Sequence, residues 1–234
     1  MSMNILSING TALADIFVDA SLSFNKPVKD IETFRVPGRN GALVVDNGTW
    51  DNVLITYPCF TKSKTAFENV VQTLGSMQGY QKITCSNDST HYRMGVPIVP
   101  QAPEAHFINQ HFYFNISFNC KPQRFLTSGD SSTTYSNTGT STLNNPTKFA
   151  SKPLIRVTGN GKVTVNGTEI TLANTSNYTD IDCEAMECYY GSTNRNGNVS
   201  FSTNDFPTLA PGNNSIVRAT GITQVIITPR WWEL

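Results

Sequence analysis

Three histidines, His91, His106 and His111, are the side chains best suited to proton transfer or metal ligation near neutral pH. His106 and His111 lie five residues apart, and no carboxylate or cysteine stands at a zinc spacing from them. Surface or partly buried imidazoles are therefore expected. Asp180, Asp182 and Glu184 alternate, so on a strand all three would share one face and begin a Ca²⁺ site. No Gly-punctuated loop of further oxygen ligands accompanies them, and a solvated strand face is the expectation. The five cysteines, Cys59, Cys85, Cys120, Cys183 and Cys188, are odd in number, and the first three sit in strand-like runs. That pattern predicts buried reduced thiols over a disulfide framework, although Cys183 and Cys188 lie on one bent segment and could approach each other. Neither a Gly-x-Ser-x-Gly elbow nor a phosphate-cradling Gly-Lys-Ser/Thr loop is present. The expectation is a protein that is not an enzyme and needs no metal or cofactor.

Two other features suit contact better than catalysis. Adjacent residues on a strand face opposite ways, so of Trp231 and Trp232 one is expected to plug a core. The other would stay exposed, as a protein contact or a sugar-stacking ring. The segment Phe34–Pro58, FRVPGRNGALVVDNGTWDNVLITYP, carries Arg39-Asn40-Gly41 and Asp46-Asn47-Gly48, each offering the positive φ of a tight hairpin turn. Ala42–Val45 and Val53–Tyr57 are rich in β-branched and aromatic residues. Arg35 and Arg39 flank a turn built for presentation to a partner.

The elements that hold these residues are mainly β. Thr65–Met77 is the one clear amphipathic helix, with Ala66, Phe67, Val70, Val71, Leu74 and Met77 on one face and a Thr65/Glu68 capping box. Tyr80–Cys85 and His91–Val96 read as a hairpin, and His111–Cys120 as a half-buried strand with Phe112, Phe114, Ile116 and Phe118 on one side. Ser128–Thr147 is almost all Ser, Thr, Asn and Gly, the composition of a polar linker or an exposed loop pair. Beyond it, short strands joined by Asn160-Gly161 and Asn166-Gly167 predict a β-sandwich, with a bulge or bend between Ala185 and Met186. Residues 1–125, 126–149 and 150–234 are thus expected as a first domain, a linker and a second domain. Charged residues are only 15% of the 234, and the formal net charge is zero. A charge-poor, neutral chain argues against nucleic-acid readout. No run reaches the roughly 18 apolar residues of a membrane span, and MSMNILSING lacks the basic and apolar regions of a signal peptide.

With both ends read, the chain resembles the distal tail proteins (Dit family) of long, non-contractile-tailed phages of Gram-positive bacteria. FRVPGRNGALVVDNGTWDNVLITYPC and FPTLAPGNNSIVRATGITQVIITPRWWEL carry the resemblance. So does the order between them: helix, hairpin, long strand ending in CKPQRF, polar linker, and a sandwich containing VTVNGTEITL. The resemblance implies a β-rich belt domain with one helix that forms a hexameric ring, followed by a galectin-like β-sandwich pointing outward. It implies a structural virion protein at the distal tail tip, made in the host cytoplasm. Its implied partners are copies of itself, the tail tube protein, the tail-tip or tail-associated lysin protein, and receptor-binding proteins. Arg35, Arg39, Asn40, Tyr92 and Arg93 are the expected subunit or tube contacts. Trp231 and Trp232 are the expected partner or sugar contacts, the latter serving the alternative of a carbohydrate-binding module.

Overall fold

The computed structural model describes residues 4–19, 24–101 and 111–234, and the backbone of 104–106. The chain is mainly β and divides into two compact units, Met1–Arg124 with Leu234, and Phe125–Glu233.

In the first unit the strands are β1 (Leu6–Ile8), β2 (Thr11–Ala12), β3 (Phe17–Val18), β4 (Lys29–Arg35), β5 (Ala42–Trp50), β6 (Val53–Thr61), β7 (Gln81–Cys85), β8 (Asp88–Ile98), β9 (Glu104–His106) and β10 (His111–Leu126). The main sheet runs β2-β1-β7-β8-β10-β6-β3, with β9 also on β10, while among the described residues β4 and β5 pair only with each other. Leu6, Ile16, Ile55, Ile83, Ile116 and Phe118 make the centre of the core. Helix α1 (Lys64–Ser76) covers β6 and β8 and buries Ala66, Phe67, Val70 and Leu74. Its Phe67 ring meets Phe114 edge-on at 4.9 Å. The helix begins one residue earlier than the periodicity predicts because Ser63 caps it: the Ser63 hydroxyl accepts from the Ala66 amide at 3.2 Å.

The second unit holds β11 (Thr133–Tyr135), β12 (Gly139–Asn145), β13 (Leu154–Gly159), β14 (Gly161–Val165), β15 (Thr168–Leu172), β16 (Tyr178–Asp182), β17 (Glu187–Tyr190), β18 (Thr193–Asn194), β19 (Val199–Phe201), β20 (Gly212–Arg218), β21 (Ile222–Thr228) and β22 (Trp232–Glu233). Two sheets, β11-β21-β13-β16-β17-β18 and β12-β20-β14-β15-β19, enclose one apolar core, which makes this unit a β-sandwich. One expectation is corrected here. The segment read as a polar linker or loop, 126–149, contributes β11 against β21 and β12 against β20. Backbone pairing at a sheet edge needs few apolar side chains, and Tyr135 and Leu143 supply the ones that pack on the core. Of the two readings of the phase shift at Ala185–Met186, the chain takes the bend: it reverses there between β16 and β17, with Met186 at φ 58.

Candidate functional site

The feature that sets the first unit apart is the β4–β5 arm. Its strands reverse through Val36-Pro37-Gly38-Arg39, with Gly38 at φ 79 and the Arg39 amide bonded to the Val36 carbonyl at 3.2 Å. Pro followed by a positive-φ Gly is the type II arrangement, and the loop closed by the Arg35–Ala42 pair continues through Arg39-Asn40-Gly41, where Gly41 takes the expected positive φ of 80. Asp46-Asn47-Gly48, expected as a second turn, lies inside β5. Gly48 at φ 72 instead accompanies a break in the pairing register opposite Lys29–Ile31. The Gly48 amide donates to Asp46 at 2.9 Å, and Lys29 pairs with the same carboxylate, together holding Asp46 below its ordinary pKa. Asp30 accepts from Asn47 at 3.2 Å and Thr49 at 3.1 Å. The base of the arm is thus tied by polar bonds, and most of its exposed apolar residues lie between that base and the turn.

Cross-strand partners share a face, so Phe34, Leu43 and Val45 lie on one side of the arm and Ile31 and Val44 on the other. All five are exposed, Phe34 by 50% and Val44 by 59%, and Val28 and Val36 beside them are exposed as well. A lone two-stranded ribbon is marginal in water, and apolar residues on both faces mark a surface that works against another protein. The consecutive run Leu43-Val44-Val45, apolar without alternation, was the sequence signal for a strand covered on both sides. Arg35, Arg39 and Asn40 are exposed at the outer end of this arm.

The other expected contacts are placed differently. Tyr92 and Arg93 on β8 are 8% and 6% exposed, so neither offers a surface for a subunit or tube. Arg93 is the cross-strand partner of Ile83 and therefore shares its inward face. The Tyr92 ring lies 4.0 Å below the Lys82 ammonium. Trp231 plugs the sandwich core at 4% exposure and is excluded as an exposed contact. Trp232 stacks on Phe149 at 4.4 Å and donates from Nε1 to the Ala150 carbonyl at 2.9 Å.

The residues weighed for chemistry are engaged in structure. Asp180 takes both oxygens to Arg156 (2.7 and 2.9 Å), and Asp182 takes both to Arg230 (2.7 and 2.8 Å). Burial alone would raise the Asp182 carboxyl, but Arg230 and the amides of Ala185 and Glu184 outweigh it and hold it below its ordinary value. Glu184 sits in the turn after β16, off the strand that was to align it with the aspartates. All five cysteines are buried free thiols, and burial pushes Cys59, Cys120 and Cys183 up to about 12. His111 packs between Phe60 and Tyr113 (5.5 and 6.2 Å), and the side chain of His106 lies outside the described residues.

The chain matches no protein-family model and no curated protein. Solved structures do match over nearly its full length. The SPP1 Dit protein (gp 19.1), a paradigm of the hub adsorption apparatus in phages infecting Gram-positive bacteria, superposes with a TM-score of 0.67 at 14% identity, over 97% of this chain and 98% of that one. A chain of the phage P2 baseplate in its activated conformation with Ca gives 0.52 at 8% identity, over 97% and 98%. One from the same baseplate with Sr gives 0.50 at 9%, over 96% and 97%. The β-rich unit, with one α-helix among its described residues, and the β-sandwich that follows it in sequence together have the fold of the SPP1 Dit protein.

Proposed function

We propose that this chain is a non-enzymatic structural protein of a phage tail, assembling as a homohexameric ring at the distal end. The ring links the tail tube to the tail-tip or tail-associated lysin protein and to receptor-binding proteins. Residues 1–125 form the ring, and the sandwich made by the rest of the chain points outward. The observation that carries this reading is the β4–β5 arm, whose apolar residues on both faces have no cover among the described residues. A heterologous contact between one arm and the next copy, repeated around a closed rotation, covers every arm without open-ended polymerisation. Arg35, Arg39 and Asn40 then meet the neighbouring copy or the tail tube. The fold shared with the SPP1 hub and phage P2 baseplate chains supports the same role.

Light scattering on the purified chain tests it. With a protomer of 25.7 kDa, the expected ring weighs about 154 kDa. A strict monomer at every concentration, which also fails to assemble with tail components, overturns the proposal. The carbohydrate-binding alternative would now rest on Trp232 alone, one face of which already stacks on Phe149.

A further inference from the structure

Six Asn-Gly pairs occur in the chain, at Asn9, Asn40, Asn47, Asn160, Asn166 and Asn196. Asparagine is a labile side chain, most of all before glycine, whose amide has no Cβ beside it to hinder ring closure on the asparagine Cγ. All six are exposed, so access to water does not separate them. Hydrogen bonding does. Asn9 donates to Gln81 at 2.6 Å and accepts from the Lys82 amide at 2.9 Å. Asn47 donates to Asp30 at 3.2 Å, and the Gly48 amide that would have to attack it is held on Asp46 at 2.9 Å. Asn160 donates to the Thr175 carbonyl at 3.0 Å and accepts from the Thr175 amide at 2.8 Å. Asn166 donates to the Thr208 carbonyl and accepts from the Ser215 amide, both at 3.0 Å. Asn196 accepts from the Cys188 amide at 2.6 Å. Asn40 has no side-chain hydrogen bond among the described residues. It stands in the exposed bend before β5, and Gly41 after it has open space where a Cβ would project.

We propose that Asn40 is a site of spontaneous deamidation, singled out by the fold from six equivalent sequence candidates. The Gly41 amide nitrogen gives its proton to hydroxide and bonds to Asn40 Cγ; the Cγ–Nδ2 bond breaks, and ammonia leaves with a proton taken from water. Water then opens either C–N bond of the five-membered imide, leaving aspartate or isoaspartate. The side chain, the next amide and water supply every atom, and no oxidant or enzyme is needed. The other five asparagines must first give up hydrogen bonds, which slows each of them by about tenfold. Either product places a new carboxylate at the outer end of the arm, where Arg35 and Arg39 are exposed. Isoaspartate also routes the main chain of the turn through the old Cβ, lengthening it by one carbon.

Peptide mapping by mass spectrometry tests this on the full-length chain, incubated at mildly alkaline pH and sampled over time. The chain is kept dilute enough that light scattering reads single copies, so no neighbour covers the arm. Asn40 should gain the mass of amide-to-acid conversion with first-order kinetics, about tenfold ahead of each of the other five. A parallel incubation in strong denaturant should bring all six to similar rates, because only the fold separates them. Asn40 reacting no faster than any one of the other five in the native chain overturns the proposal. So does a lead that persists undiminished in denaturant, which would assign the preference to local sequence. Both arms use the native sequence, so no variant has to fold. A chain that is monomeric at every concentration would overturn the ring and leave this measurement as it stands.

Discussion

Replacing Phe34 with Ser tests the arm directly. Phe34 is 50% exposed in the single chain. A Phe side chain buries about 150–250 Å² when fully covered, so about 100 Å² of ring is left for a neighbouring copy to cover. At about 25 cal/mol per Å², that cover contributes about 2.5 kcal/mol to each interface. A six-membered ring has one such interface per subunit, so its loss should move the concentration at which the ring dissociates upward by on the order of 100-fold. The folded single chain should hardly notice, since exposed substitutions usually shift stability by less than about 0.5 kcal/mol. A light-scattering dilution series reads the first effect, and thermal unfolding of dissociated chains reads the second. Two outcomes refute the reasoning. If Phe34→Ser assembles at the native concentration, the arm face is not covered in the ring. If instead the dissociated variant melts several degrees lower, Phe34 is packed within its own chain.

Three further outcomes are expected. Asp88 has a depressed folded pKa, so its contribution is present above the unfolded value near 4 and lost as pH falls through about 2. Its partial exposure cuts that to about 1 kcal/mol, and Asp88→Asn should flatten this part of an acid-unfolding profile; an unchanged profile refutes the linkage. Trp231→Ala should cost the sandwich about 3–5 kcal/mol, and Trp232→Ala distinctly less, since it loses one stacked ring and one hydrogen bond; equal costs in denaturant melts refute the plug assignment. Asp182→Asn leaves Arg230 without its carboxylate and should cost about 3 kcal/mol in those same melts. Ring mass should nonetheless stay constant, and a ring that dissociates while the sandwich stays folded refutes that separation.

What could be read from the sequence followed the strength of the local pattern. Phe114, Ile116 and Phe118 alternate because one side of β10 faces a core, and they are buried there. VTVNGTEITL forms β14 and β15 around Asn166 and Gly167, both at positive φ, as an Asn-Gly turn requires. Other signals were ambiguous in kind. Positive φ at Gly48 serves a register break as well as a turn, and nothing local to Asp46-Asn47-Gly48 separates the two. The polar stretch around Thr133 and Gly139 looked unstructured because β11 and β12 are held through their backbones by strands some eighty residues away. The burial of Arg93 was accessible only through register: it lies two residues before Gly95, on the same side of β8. A Cβ on Gly95 would meet Cys120 Sγ at 2.7 Å, so that side of the strand faces inward.

The two units differ in where their apolar surface lies. In the sandwich, Arg156 and Arg230 are met by aspartates, and Arg218 donates to the carbonyls of Asn137, Ser136 and Ile222. Its core is closed over Ile155, Val163 and Leu209, each fully buried. Buried polar atoms without a partner among the described residues occur in both units, Arg93 Nη1 in the first and Arg195 Nη1 in the second, so they do not separate the two. The exposed apolar side chains do. The first unit carries them on both faces of the arm. Repacking the unit's own core cannot cover them, because β4 and β5 pair with no other described strand. The arm's deficit is an area, which another protein surface can cover.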